Sequence, residues 1–362
     1  MENMVADSTF WKNKKVFITG HTGFKGSWLC IILHYFGAKL GGYSLKPNKE
    51  NLLFNSAKIN SLMKKNFFGD IRDYKNLTNS IKKFKPEILI HMAAQPIVLD
   101  SYLVPKYTFD VNVNGTLNIL EAIRKIKYIK SCLIVTTDKV YRNNNLTRVF
   151  KEDDCLGGSD PYSGSKACKE ILVETYIKSF FNKNKYCRLA TARAGNVIGG
   201  GDRSRYRIVP DFFKSVKNKK TLVVRYPDAI RPWQFVLEPL FGYLVLLKKL
   251  YQNNLKNIPS AWNFGPDKSS FKNVRAIVNK LKKNFKCKIL YSSKKITNEA
   301  YSLKLSSVKS KKYLGWRPVY NLNNSLNEVI SWEKNFIINK KKKINLLKYS
   351  TDQVIKYIKF LK

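Results

Sequence analysis

"KKVFITGHTGFKG" (residues 14–26) decides the fold. Its first half is a short apolar run of the kind found in strands buried on both faces. Gly20, Gly23 and Gly26 then follow at GxxGxxG spacing. The next segment, "GSWLCIILHYFG" (26–37), has helical periodicity and stops at Gly37. Glycines between a first strand and a first helix let the chain turn tightly. They also let backbone N–H groups approach a pyrophosphate at the helix N-terminus. The spacing differs from the GxGxxG of ordinary dinucleotide sites, but its place between strand and helix favours a phosphate loop over a plain turn.

Outward from this stretch the alternation continues. "AKLGGYSL" (38–45), "EILIHMA" (87–93), "SCLIVTT" (131–137) and "YCRLATARAG" (186–195) read as strands. "VNVNGTLNILEAIRK" (111–125) and "PYSGSKACKEILVETYIKSF" (161–180) read as helices. Such alternation predicts an α/β fold, a doubly wound parallel sheet of Rossmann type, with its ligand at the carboxyl ends of the strands. Beyond about residue 200 the pattern becomes mixed, aromatic and Pro-punctuated, which predicts a smaller mixed α/β substrate-binding lobe. The expected division is a Rossmann domain over 11–195 with a returning segment near 230–258, a lobe from 196–229 and 259–338, and a basic tail over 339–362. The end of that tail, "INLLKYSTDQVIKYIKFLK", reads equally as a docking helix or as a frayed end.

Among 362 residues, 67 Lys and Arg outweigh 25 Asp and Glu, for a formal charge of +42. A field of that sign attracts anions. The charges are scattered, and only "NKKKK" (339–343) forms a dense block. The expected partner is therefore a small anionic substrate, with neither nucleic acid nor membrane. Cysteines 30, 132, 155, 168, 187 and 287 form no CxxC pair, and His21, His34 and His91 form no HExxH. That pattern predicts a reduced, metal-free, cytoplasmic protein. The N-terminus has no apolar signal region. The apolar stretch near "LFGYLVLL" (240–247) is too short to span a bilayer.

Two motifs carry chemistry. Tyr162 and Lys166 lie four apart in "DPYSGSK", on one helical face. Tyr35/Lys39, Tyr102/Lys106 and Tyr291/Lys295 share the spacing, but only Tyr162 follows an Asp-Pro helix start. Making a phenol a base near neutrality costs about 4 kcal/mol. An ammonium ~5 Å away supplies roughly 3 kcal/mol of this at an effective dielectric of ~20. The second motif is "TTDKVY" (136–141), directly after an apolar strand. Thr137 with Tyr162 and Lys166 makes an alcohol-oxidising triad. Asp138 and Lys139 are surplus to oxidation. Both can serve one site only if the strand has ended and the chain is turning there.

The glycine spacing, with Phe24 inside it, resembles the extended short-chain dehydrogenase/reductase family. "FGDIRD" (68–73) resembles the family's turn at the adenine, "HMAAQP" (91–96) its small-residue loop, and "NVNGT" (112–116) its NxxGT helix. The resemblance implies that NAD is held by Gly20, Thr22, Gly23, Phe24, Lys25, Gly26, Asp70, Ile71, Ala93, Ala94 and Gln95, with Tyr162 and Lys166. Its positive nicotinamide ring would help acidify the phenol. The second strand ends in Ser44 and Lys46 without an acid for the ribose, so NADP stays open.

Within that family, nucleotide-sugar 4,6-dehydratases usually carry Asp-Glu after the threonine. The Asp-Lys pair here resembles the CDP-glucose type. "RAGNVIGGGD" (193–202), "RPWQFVLEPLFGYL" (231–244), and "LKL" with "LGWRP" (303–318) resemble the same enzymes, and the likeness runs from about 11 to 336. It implies a nucleotide-diphosphate sugar as substrate, with Asn196, Arg203 and Trp233 on its side and Arg231 clamping the diphosphate. Phe235 departs from the usual histidine, and Ser306 from the usual Asp or Asn. The implied chemistry oxidises C4, removes the C5 proton and expels the C6 hydroxyl as water. Lys139 as base and Asp138 as acid is one assignment, and the reverse stays open. A homodimer or homotetramer through helices near 111–125 and 161–180 is also implied. A 4-epimerase or reductase on the same fold, and a basic nucleic-acid-binding Rossmann protein, are the alternatives.

Overall fold

The computed structural model describes residues 8–143, 148–181, 186–255, 259–292, 302–337 and 345–361. The "NKKKK" block, the first seven residues and Lys295 lie outside the described residues. The strands in chain order are β1 (Lys15–Thr19), β2 (Lys39–Ser44), β3 (Met63–Phe68), β4 (Ile88–His91), β5 (Ser131–Val135), β6 (Arg188–Ala194), β7 (Asn196–Ile198), β8 (Leu222–Val224), β9 (Ile230–Phe235), β10 (Ala261–Phe264), β11 (Phe271–Asn273) and β12 (Ile289–Tyr291). The longer helices are α1 (Phe24–Tyr35), α2 (Tyr74–Phe84), α3 (Gly115–Lys125), α4 (Pro161–Tyr176), α5 (Ile208–Asn218), α6 (Leu237–Tyr251), α7 (Val274–Lys282), α8 (Leu322–Ile337) and α9 (Leu346–Leu361).

Seven strands form one parallel sheet in the order β10-β6-β5-β4-β1-β2-β3. Successive strands wind outward in both directions from β1 and β4, so the switch point lies between these two. The sheet is apolar on both faces. Val16, Ile18, Ile88, Ile90 and Leu133 join the larger core, while Phe17, Leu89, Cys132 and Ile134 alternate into the other. Strand β3 was not legible in "MKKNFF". It is a half-exposed edge strand with neither an apolar run nor clean alternation. Helix α1 ends where its apolar periodicity does, and Gly37 follows it at φ +76.

A three-stranded sheet, β11-β9-β7, and the pair β12-β8 lie beyond β6, with α5 and α7 packed together beside them. Helix α6 follows β9 and packs against β5 and β6. Strand β10, which the sequence reading left in the lobe, instead pairs with β6 as an outer strand of the main sheet. Its four residues, Ala261–Phe264, carry too short an apolar signal to separate lobe from sheet.

The end of the chain forms a docked helix. α9 packs on α1 and α8. Tyr357 donates to Glu238 Oε2 at 2.7 Å, and Glu238 Oε1 accepts from the backbone of Tyr320 at 2.7 Å and of Val319 at 3.1 Å. Burial pushes the Glu238 carboxyl up to about 7 despite these donors. Replacing Tyr357 by Phe leaves the buried carboxyl one donor short. The Tyr357→Phe protein should lose about 1–3 kcal/mol, read as a lower denaturant midpoint at unchanged slope.

Candidate active site

Where β1 ends, Gly20 adopts φ +74, a conformation L side chains rarely take. A Cβ on Gly20 would stand 2.7 Å from the Ala93 nitrogen, and one on Gly26 would stand 2.3 Å from the Gly20 oxygen. Glycine thus lets the loop after β1 press against the loop after β4 and against the start of α1. A Cβ on Gly23 meets only the Gly20 oxygen, at 3.3 Å, so this side of the loop is open. It opens onto a cavity of about 480 Å³. Gly23 caps α1 without a side-chain acceptor, and the first turn of α1 lines the cavity. Free N–H groups and a positive helix end are what a phosphate needs, so the residues present fit a dinucleotide.

All the residues assigned above to the cofactor line this cavity. Thr22 and Ser44 hydroxyls bond at 2.7 Å, and Asn51 donates to the Thr22 carbonyl at 2.9 Å, which ties the phosphate loop to the end of β2. Asp70, whose carboxyl is held below the usual range by the hydrogen-bonded Arg72 guanidinium, sits with Ile71 in the wall. An acid is present at this end after all. Glu50 lines the cavity and lies 3.7 Å from Arg205. It lies beyond β2 in an irregular segment, where no periodicity marked it.

A second cavity of about 250 Å³ adjoins the first, and both have Lys25, Thr136, Tyr162 and Arg207 in their walls. Thr137, Asp138, Lys139, Asn196, Arg231 and Trp233 line it. Arg203 lines neither cavity. Glu333, itself buried, holds its guanidinium in two bonds of 2.8 and 2.7 Å. Phe235 is likewise absent from the cavity walls and stacks on Tyr320 in the core. Arg205 and Arg207 stand at the cavities instead. In a chain with 67 basic residues, nothing in the sequence set them apart.

The reacting groups converge from two elements. α4 begins at Asp160, whose side chain accepts from Ser163 N at 2.9 Å while Ser163 Oγ accepts from Asp160 N at 3.2 Å. That fixed start sets Tyr162 and Lys166 on the buried face, with the ammonium nitrogen 5.8 Å from the phenol ring centre. β5 stops at Val135, and Asp138–Val140 turn as a short 3₁₀ helix capped by Thr137. The chain is therefore turning at Asp138 and Lys139, so both reach one cavity. Thr137 Oγ1 accepts from Lys139 N at 3.3 Å and donates to Asp138 Oδ1 at 3.1 Å.

Beneath the site, Glu170 of α4 accepts from Thr136, from Thr191 at 2.6 Å and from Arg193 at 2.9 and 3.0 Å. Arg193 goes on to Tyr141 at 2.8 Å. Burial opposes the Glu170 charge, yet Arg193 and the hydroxyl donors hold its carboxyl below the usual range. Thus α4, β5, β6 and the turn after β5 are bonded into one block.

Electrostatics differ from group to group. Burial pushes the Tyr162 phenol up to about 12, against the neighbouring Thr137 hydroxyl and the Arg207 charge, which pull it down. Burial, then the nearby Lys25 charge, brings the Lys166 ammonium down to about 7. Asp138 is 2% exposed, its Oδ2 accepts no hydrogen bond, and burial pushes its carboxyl up to about 6 against the pull of Lys139, Thr137, Arg231 and Lys25. The arrangement offers an acid working near neutrality, an amine, and a phenol that needs added positive charge to become a base.

Comparison with known proteins agrees with this chemistry. A family model described as GDP-mannose 4,6 dehydratase matches residues 17–329. A CDP-glucose 4,6-dehydratase of Salmonella typhimurium is 42% identical over 337 residues, covering 91% of this chain and 93% of that protein. A dTDP-D-glucose 4,6-dehydratase of Dictyostelium discoideum is 29% identical over 258 residues, covering 68% of this chain and 58% of that protein. Among solved structures, an epimerase of Methanothermobacter thermautotrophicus overlays with a TM-score of 0.77 at 20% identity, covering 94% of this chain and 98% of that one. A dTDP-glucose 4,6-dehydratase of Bacillus anthracis in complex with NAD overlays with a TM-score of 0.72 at 22% identity, covering 92% and 99%. Both share the fold.

The Asp138 carboxyl, raised from 3.8 to about 6, works against stability in alkali. Its folded value lies above its unfolded one, so the native state keeps a proton that the unfolded chain has lost. That advantage is whole below about 4 and is lost as pH rises through about 6. Asp138→Asn should match wild type in stability near pH 4 and exceed it by up to about 3 kcal/mol at pH 8. Denaturant titration at the two pH values reads this difference.

Proposed function

We propose, from the premise that the chain belongs to the GDP-mannose 4,6-dehydratase family, that it converts CDP-glucose to CDP-4-keto-6-deoxyglucose and water. The observation that carries this reading is the turn of Thr137, Asp138 and Lys139, set beside Tyr162 where the two cavities adjoin. A reductase or 4-epimerase has work for Tyr162, Lys166 and Thr137. Only a dehydratase also needs an acid and a base at C6 and C5. The 42% identity to the Salmonella enzyme supports cytidine as the nucleotide.

The larger cavity suits NAD, held at the phosphates by the Gly20–Gly26 loop and at the other end by Ser44, Glu50, Asp70 and Ile71. When bound there, NAD would supply the hydride acceptor for oxidation at C4 and the hydride donor for C6. Tyr162 accepts the C4 hydroxyl proton. The Arg207 charge pulls the phenol down, the Lys166 nitrogen stands 5.8 Å from its ring centre, and the Thr137 hydroxyl lies beside it. Lys139 removes the C5 proton, which the C4 ketone has made acidic, and Asp138 protonates the leaving C6 oxygen. A carboxyl near 6 suits that task, since a useful fraction is protonated near neutral pH. Arg231, with its side chain buried in the wall, and Arg207 offer fixed cations for the diphosphate.

Among the described residues no helix is long and apolar enough to cross a membrane. The six cysteines are free thiols, which suits a reducing, cytoplasmic setting. Exposed Phe109, Ile171 and Phe180 on and beside α4 suit pairing with a second copy.

Incubation with NAD and CDP-, dTDP-, GDP- or UDP-glucose should yield the 4-keto-6-deoxy chromophore from the CDP sugar alone. A 4-epimer as product would replace this reading with the epimerase. Lys139→Ala should abolish entry of solvent deuterium at C5 and cut turnover by about 10²–10⁴, while NADH still forms in a single turnover. Surviving C5 exchange would remove Lys139 from the role of base.

A further inference from the structure

Three carboxylates stand in the wall of the smaller cavity, those of Asp138, Asp202 and Asp211. The proposed reaction employs Asp138. Asp202 is committed within the chain: it accepts from Ser204 N at 2.9 Å and from Ser204 Oγ at 2.6 Å, and lies 3.6 Å from Arg207. Asp211 has no place in the reaction. A carboxylate in a site that takes a diphosphate is repelled by its ligand, unless the ligand brings a hydrogen-bond donor to it. Asp211 lies in the first turn of α5, on one face with Arg207 and Ile208, which share the cavity wall. Phe212 and Phe213, on the other face, are buried in the core. Burial pushes the Asp211 carboxyl up, against the pull of Arg225 and Lys214.

Tyr206 is a second unassigned residue of this wall. Its backbone is left-handed, at φ +61. The other described non-glycine residues in that region are all Asn or Lys, and none lines either cavity. Backbone strain of this kind collects where ligands are clamped. The Tyr206 side chain is 44% exposed, with the guanidinium carbons of Arg205 and Arg225 at 5.9 and 5.7 Å from its ring centre. Arg225 also donates to the Tyr206 carbonyl at 3.3 Å. An exposed ring braced in this way is a platform for a flat group.

The cavity joins two parts of the molecule. Thr137, Asp138, Lys139 and Tyr162 come from the main sheet and α4, whereas Asp211, Val224 and Val274 come from α5, β8 and α7. A sugar at the first group and a diphosphate at Arg207 and Arg231 leave the second group for the base. We propose that Tyr206 and Asp211 form the seat of that base and select cytosine: the pyrimidine stacks on the Tyr206 ring, and the Asp211 carboxylate accepts from its 4-amino group. This rests on the dehydratase reading, which supplies the nucleotide sugar. Uracil and thymine carry a carbonyl oxygen at that position, which has no hydrogen to give and repels a carboxylate. Ribose hydroxyls are the other donors on such a ligand. The same wall, however, carries Val209, Val224 and Ala229, apolar groups suited to the face of a base.

The test titrates NAD-loaded protein with CDP and with UDP in a calorimeter, so that no turnover is needed. Wild type should bind CDP roughly tenfold to a hundredfold more tightly. Asp211→Asn presents an N–H to the carbonyl of uracil, and should lose most of that preference or reverse it. Tyr206→Ala keeps a β-carbon at the strained position, and should weaken both nucleotides about tenfold or more while leaving their ratio alone. Tyr206→Phe should recover the affinity that alanine loses. Retained NAD affinity in each variant shows that it has folded. An unchanged CDP-to-UDP ratio in Asp211→Asn, as a carboxylate on the ribose would give, overturns the selection of cytosine by Asp211. Undiminished binding in Tyr206→Ala overturns the platform. A wild type that prefers CDP yet turns CDP-glucose into its 4-epimer would keep the base seat and remove the dehydratase reading instead.

Discussion

The buried carboxylate of Glu170 is the interaction on which the rest of the site depends. It stands on α4, two turns beyond the phenol, and takes donors from the ends of β5 and β6. The proposed chemistry on one sugar ring needs Tyr162 and Lys166, carried by a helix, and Asp138 and Lys139, carried by a turn, to keep a fixed separation. Helix and turn come from chain segments far apart in sequence. A salt bridge in this low-dielectric setting is a weak source of net stability, because desolvation offsets most of the attraction. Its value here is geometric. Arg193 is committed on several sides at once, to Glu170, to Tyr141 and to the Glu152 carbonyl, which leaves the block one arrangement.

The excess of positive charge gains meaning once it is located. Most basic side chains lie far from the cavities. Those that line them, Lys25, Lys166, Arg207 and Arg231 among them, come from four separate parts of the chain. Burial and then the Arg207 charge lower Lys25, and burial and then the Lys25 charge lower Lys166. A site of this kind is short of anions until a dinucleotide and a diphosphate fill it. The general field of the chain draws such molecules in, while the few buried cations fix where they stop.

Much of this was legible in the sequence, for a physical reason. Parallel strands buried on both faces leave continuous apolar runs, and glycines forced by close backbone approach leave a spacing. Tyr162 stood out among several Tyr/Lys pairs because a helix start is written in residue types. The turn after β5 was legible because polar groups ended an apolar run. What escaped had no local signature. β3 is a polar edge, and β10 is four residues long. Glu50 and Arg207 reach the cavities from irregular segments, where side-chain direction is set by tertiary packing. Arg203 matched a motif, yet a long-range partner on α8 claimed it, and no reading along the chain could foresee Glu333.

The clasp between Glu238 and Tyr357 has a consequence for how the protein comes into being. Glu238 is buried in the first turn of α6, and one of its donors is supplied only by α9. A ribosome that has made the first three hundred residues has produced the nucleotide-binding loop, the catalytic turn and all seven strands of the main sheet. The core at that stage still lacks the helix that covers α1 and completes the bonding of the acid. Such an unfinished chain exposes apolar surface and holds a strained carboxyl. Final consolidation therefore waits until residues 346–361 have been made.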